Sequence, residues 1–208
     1  MKKITSLVLV ITLLLGLCLQ LNAAVIEGFH FQPLPKAGQV ISGFRVVEIG
    51  SMEIINAKTV LFEHEKTGAK LYYIQSKDID RSFEIAFRTP AVDNTGVNHI
   101  LEHITVSGSE NYPMKNVLFT IANQTYCTFI NAFTTETSTI FPVSSMSEEQ
   151  LLKLAEVYLD CVYKPSIYTD RNIFLREAWR YELADEDAPL EINGTVYNEM
   201  KGALSSIG

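Results

Sequence analysis

A chain of 208 residues with 47% hydrophobic and 20% charged positions holds enough apolar mass for a packed core, which excludes a disordered tail, a collagen-like fibre or a disulfide-stapled mini-protein. Its 17 Lys and Arg stand against 24 Asp and Glu, a formal balance of -7, so the basic field that nucleic acid requires is missing.

The first element in chain order reads as an address. Lys2 and Lys3 precede Ile4 to Leu21, 18 residues without a charge, and Leu21-Asn22-Ala23-Ala24 supplies small residues for a signal peptidase. Residues 1–24 therefore read as an export signal, and the expected location is periplasmic or extracellular. A membrane-spanning anchor is the alternative, because 18 residues lies near the lower limit for crossing a bilayer. A membrane is met only through this segment, and only where it is left uncleaved. A mitochondrial transit peptide would be rich in Arg, and the segment has none. Cys127 and Cys161 are the thiols left after cleavage and would meet an oxidising compartment. Lacking C-x-x-C spacing, they read as free thiols, with a disulfide as the alternative.

Residues 25–208 show no repeat or linker and read as a single α+β domain. After a lead-in with Pro33, Pro35, Gly38 and Gly43, the runs Phe44–Ile49, Thr59–His64, Lys70–Gln75 and Ser82–Arg88 are β-branched and aromatic, separated by turn residues. They predict three or four successive antiparallel strands. Pro90 stops the last, and Asp93-Asn94-Thr95-Gly96 offers side-chain oxygens to start a helix near Val97. Met114–Gln124 predicts a second helix, and Thr125–Thr134 with Thr139–Ser145 a strand pair. Ser147 and Gln150 form a capping box before Leu151, Leu154, Ala155, Tyr158, Leu159 and Val162, which recur at helical spacing. Pro165 ends that helix. Another is predicted from Thr169 or Asp170 to about Leu183, with Ile173, Phe174 and Trp179 on its apolar side. Asn193-Gly194 marks a turn, Thr195–Tyr197 a short strand, and Asn198 the cap of a last helix carrying Glu199. The whole reads as a mainly antiparallel sheet with helices packed on one face.

One motif carries chemistry: His99-Ile100-Leu101-Glu102-His103, an H-x-x-E-H pattern on the helix predicted after Gly96. Residues four apart share a helical face, so His99 and His103 can offer two imidazole nitrogens to one zinc ion. Glu102 flanks that face as a general base, the arrangement of the inverzincin signature. Half of the four histidines fall in this motif; His30 and His64 read as ordinary structural residues. A catalytic zinc takes three protein ligands and leaves one position open. Pattern alone leaves Glu177, Glu182 and Glu199 as candidates for the third.

Several blocks resemble one family in order. Phe62-Glu63-His64-Glu65-Lys66-Thr67-Gly68-Ala69, Phe87-Arg88-Thr89-Pro90, Gly96 to His103, Gly108-Ser109 and Tyr112-Pro113 are similar to the presequence-protease branch of the pitrilysin and insulin-degrading metallopeptidases. Phe129 to Thr134, Val157 to Asp160, Glu177-Ala178-Trp179 and Val196 to Gly202 continue the match. The resemblance covers nearly all of residues 44–208. It implies a zinc-dependent endopeptidase acting on extended peptides, with His99, His103 and Glu199 as ligands and Glu102 as general base. It also implies that Asn131, Ala132 and Phe133 meet the substrate backbone as an added strand. Family members are several times longer, so the chain reads as an amino-terminal part, with a separate C-terminal half among its candidate partners. The alternative is a subunit that binds peptide or that half without turnover.

Overall fold

The computed structural model describes residues 33–205, so the segment read as an export signal lies outside the described residues. The chain divides into two compact units at Asp78 and Ile79.

The first unit is an antiparallel sheet of β1 (Val40–Ile41), β2 (Phe44–Met52), β3 (Ala57–His64) and β4 (Lys70–Gln75), in that spatial order. Ser42 and Gly43 both take positive φ, 49° and 82°, which gives the β1–β2 hairpin the tight turn whose twist matches the strands. Asn56 closes the β2–β3 connection at φ 50°, a left-handed position that Asn tolerates. Val46, Ala57 and Val60 are buried on the central strands. His64 bonds Thr67 through Nδ1 at 2.7 Å and lies against Phe44, a structural residue as expected.

The second unit begins with β5 (Arg81–Arg88), α1 (Val97–Thr105) and α2 (Val117–Gln124). It continues through β6 (Cys127–Ile130), β7 (Phe133–Thr134), β8 (Ser138–Ser145) and α3 (Glu148–Tyr163). α4 (Arg171–Glu177), β9 (Arg180–Glu182), β10 (Glu191–Asn193) and α5 (Thr195–Ser205) follow. β5 does not extend the first sheet. It pairs antiparallel with β8 along eight residues, Arg81 opposite Ser145 through Arg88 opposite Ser138. The other edge of β8 takes β6 and β7. A β-branched run marks a strand, but its partner is chosen by which alternate residues can be buried together. In β8 those are Thr139, Phe141, Val143 and Ser145.

α3 covers that face. Ser147 Oγ accepts from Gln150 N at 3.4 Å, as the capping box predicts. The buried stripe is Leu151, Leu154, Val157, Tyr158 and Cys161, while Leu159 is left exposed. Phe141, Val143, Leu154 and Tyr158 make the core under the sheet, each worth about 1.5–3 kcal/mol of burial. Cys127 and Cys161 are both free thiols.

Two expectations after Pro165 are corrected. α4 stops at Glu177, well short of Leu183, because residues 180–182 pair with residues 191–193 in a hairpin. Three-residue strands are too short to show a period of two, so the aromatic run read as helix. Thr195–Tyr197 is not a strand but the first turn of α5, where Asn198 N already donates to Gly194 O at 2.9 Å. Asn198 therefore lies inside the helix and does not cap it.

Candidate metal centre

α1 is short, and its placement depends on contacts at both ends. Asn98 Nδ2 donates to Thr89 O at 2.8 Å, tying the first turn to the end of β5. Ser107 Oγ donates to His103 O at 2.8 Å and holds the last turn. The entry is made by Gly96 at φ 69° and not by a side-chain cap. The Asp93 carboxylate accepts instead from Thr95 N at 3.0 Å in a local turn.

His99 and His103 project from the same side of α1, their ring centroids 5.0 Å apart. Glu199, on the second turn of α5, meets both rings: Oε2 lies 3.6 Å from His99 Nε2 and 3.4 Å from His103 Nε2. The ligand atoms of these three residues all lie within 4.8 Å of one another. Metal–ligand bonds of about 2.0–2.1 Å in a tetrahedron put neighbouring ligand atoms roughly 3.3 Å apart, so two imidazole nitrogens and one carboxylate at these separations fit such an ion. Glu199 is 54% exposed at its side chain, which leaves the group open to solvent on one side. Glu102 is 7% exposed on the adjacent face of α1.

α5 reaches this position through a close approach. A Cβ on Gly194 would stand 2.2 Å from Ala178 O and 2.6 Å from Trp179 Cα, so only glycine lets the start of α5 lie against the end of α4. Thr195 Oγ1 donates to Arg176 O at 3.2 Å across the same junction.

The other two acidic candidates sit elsewhere. Glu182 accepts from Arg180 and from Asn193 Nδ2 within the β9–β10 hairpin, where Asn193 also closes on it. Glu177 is 6% exposed at the end of α4 and approaches the far side of the His103 ring, its Oε2 3.7 Å from Nδ1. Its Oε1 accepts from Arg176 Nε at 2.8 Å. Burial alone would push the Glu177 carboxyl up, but His103 and Arg176 outweigh it and hold the group down at about 2. The same carboxylate raises His103 above its ordinary value, against the opposing pull of burial. Sequence reasoning treated Glu177 only as a rival ligand. Arg176 beside it was the available signal, and adjacent opposite charges are too common on helices to be read that way.

Asn131, Ala132 and Phe133 lie where β6 passes into β7 on the outer edge of β8. The backbone of Asn131 is committed to the fold: N donates to Pro142 O at 3.3 Å, and O accepts from Tyr158 Oη at 2.6 Å. Its Oδ1 accepts from Ala132 N at 2.9 Å. Ala132 is buried, while Phe133 is exposed and stacks on Phe129 at 6.3 Å.

Residues 88–194 match the insulinase family, peptidase family M16. Protein HypA of Clostridium perfringens is 43% identical over 171 residues, 82% of this chain and 18% of its own length. Presequence protease 1, chloroplastic/mitochondrial, of Arabidopsis thaliana is 38% identical, covering 78% of this chain and 15% of that protein. The mitochondrial presequence protease of Drosophila melanogaster is 39% identical, covering 81% of this chain and 16% of that protein. The chain thus spans less than a fifth of the length of these relatives. In fold, 64% of the chain superposes on 14% of the crystal structure of pitrilysin with a TM-score of 0.54, at 17% sequence identity.

The names of the presequence-protease relatives overturn the expected periplasmic or extracellular location, because those proteins are mitochondrial or chloroplastic. A cationic start followed by an apolar run shows that a segment avoids water, and does not specify which machinery receives it. Among the described residues no helix is long and apolar enough to cross a membrane.

Proposed function

Since the chain belongs to the insulinase family, peptidase family M16, we propose that it is the catalytic amino-terminal part of a zinc-dependent endopeptidase acting on extended peptides. One observation carries this reading: two imidazole nitrogens and a carboxylate oxygen from α1 and α5 converge within 4.8 Å, beside a buried glutamate. His99 Nε2, His103 Nε2 and Glu199 Oε2 would hold the zinc ion. When bound, it supplies Lewis acidity that brings the pKa of water toward about 7 and polarises a scissile carbonyl. Glu102 takes a proton from the attacking water and returns it to the leaving amine nitrogen, a transfer worth typically 10²–10⁴ in rate. Glu102 lies three residues after His99 on α1, one helical turn on, so its carboxylate flanks the face that carries the two imidazoles.

The substrate is held as an added strand along the β6–β7 edge. Asn131 is anchored there by Pro142 and Tyr158, so its side-chain amide nitrogen is the group left to meet a peptide, with Phe133 alongside. The partners of this reading are peptide substrates.

The test is to express the full chain, measure bound zinc, and assay an unstructured peptide with the parent and Glu102→Gln. The expected result is one zinc in both proteins and hydrolysis lost only in the variant. Hydrolysis that continues after zinc removal and in Glu102→Gln overturns the mechanism. Zinc bound without hydrolysis, restored by adding a C-terminal polypeptide, identifies a two-part enzyme; no restoration supports the non-catalytic binding subunit.

A further inference from the structure

Glu177 takes no part in the proposed chemistry, yet it is a buried carboxylate pointed at a ligand ring. Its position is built from both sides. Its neighbour Ala178 is fully buried, and Gly194 packs onto the Ala178 carbonyl so closely that a Cβ has no room. The backbone bearing Glu177 is therefore clamped between the end of α4 and the start of α5. Arg176 Nε donates to one carboxylate oxygen at 2.8 Å and fixes the rotation of the group. The other oxygen is left directed at His103 Nδ1, 3.7 Å away.

The ordinary explanation is a structural Arg–Glu ion pair, which an exposed surface would serve as well. It does not account for burial of the acid, which costs free energy unless the charge is matched. Nor does it account for the second oxygen facing a histidine. The two nitrogens of the His103 ring are divided between two carboxylates: Nε2 is 3.4 Å from Glu199 and Nδ1 is 3.7 Å from Glu177. Glu177 cannot join His99, His103 and Glu199 as a ligand, because it meets the ring on the opposite nitrogen. A carboxylate on the free nitrogen of an imidazole selects the tautomer that keeps the proton on Nδ1 and leaves the Nε2 lone pair for a ligand bond.

We propose that Glu177, braced by Arg176, is the positioning residue of the centre: it holds the His103 ring with Nδ1–H turned to α4 and Nε2 turned to Glu199. This rests on the zinc reading above and deepens it. Glu177 touches neither substrate nor ion; it acts through His103 alone. Without it the ring is free to turn about χ2 and present the wrong nitrogen.

The test uses the full 208-residue chain as parent, Glu177→Gln, Glu177→Ala and, as control, His99→Ala. Zinc affinity is measured by competition with a chromophoric chelator, and long-range ¹H–¹⁵N NMR of the zinc-loaded proteins reports which nitrogen of each histidine is protonated. Circular dichroism checks folding. Loss of such a supporting carboxylate costs about 10–100-fold in metal affinity, so Glu177→Ala falls in that range and Glu177→Gln between it and the parent, since the amide keeps an oxygen to face Nδ1–H. The Nδ1–H signal of His103 shifts in both variants, while His99 signals stay as in the parent. A folded Glu177→Ala protein with parental affinity and unchanged His103 signals overturns the proposal and leaves the zinc reading standing. A parent that binds no zinc, or binds it equally well as His99→Ala, overturns both. Where Glu177→Ala does not fold, an unchanged Nδ1–H shift in Glu177→Gln is the overturning result.

Discussion

Cys161 shows how burial decides the behaviour of a residue. It is almost fully buried on the inner face of α3, and burial pushes its thiol up to about 11. The thiolate is the reactive form, so at pH 8 a folded sample treated with iodoacetamide is expected to leave Cys161 unlabelled until denaturant is added. Peptide mapping by mass reads this directly, and labelling of Cys161 in the native protein contradicts the packing described. Tyr158 is the other informative single residue. Burial raises its phenol above the ordinary range, so it stays a hydrogen donor to Asn131 O at any working pH. Tyr158→Phe deletes that donor at little change of volume. The expected cost is about 0.5–1.5 kcal/mol in urea unfolding, with a raised KM for peptide because the Asn131 edge loses its anchor. A variant equal to the parent in both measurements removes Tyr158 from the account.

Among the elements, α5 deserves comparison with α1. α1 brings two ligand candidates by its own periodicity, but α5 brings Glu199 only because Gly194 allows it to touch α4. Gly194→Ala places a methyl group where backbone atoms of Ala178 and Trp179 stand at 2.2 and 2.6 Å, so a backbone segment must move. The expected cost is about 1–3 kcal/mol of stability, with weaker zinc binding as Glu199 retreats from the imidazoles. Equilibrium unfolding and a zinc titration on the same variant test it; parental values in both refute the close approach. The β9–β10 hairpin has a comparable sorting role. By engaging Glu182 with Arg180 and Asn193, it removes one acidic candidate from the centre.

For the molecule as a whole, binding and stability are one equilibrium. A ligand that binds the folded state alone adds about 2.7 kcal/mol at a free concentration one hundred times Kd. Trp179 is the single tryptophan and lies in the unit that carries the centre, so its fluorescence follows unfolding of that unit. Zinc is expected to raise the midpoint of that transition and a chelator to lower it, with no response in His99→Ala. A zinc-independent midpoint in the parent contradicts a centre assembled from α1 and α5.

Much of the centre was legible before the fold was known, because His99, Glu102 and His103 lie within five residues and helical geometry alone sets them on neighbouring faces. The class of fold was legible too, since alternation in β8 and helical spacing in α3 are local properties of the chain. Family likeness singled out Glu199, which spacing could not do across 95 intervening positions. Strand partners, the division at Asp78 and the stop of α4 at Glu177 were decided by the tertiary structure. Each depends on contacts between segments distant in sequence, where burial and space overrule the preferences of a short run. The same cause assigns the three acids: Glu199 converges with the imidazoles, Glu177 braces one of them, and Glu182 closes a hairpin, although all three looked alike as single letters.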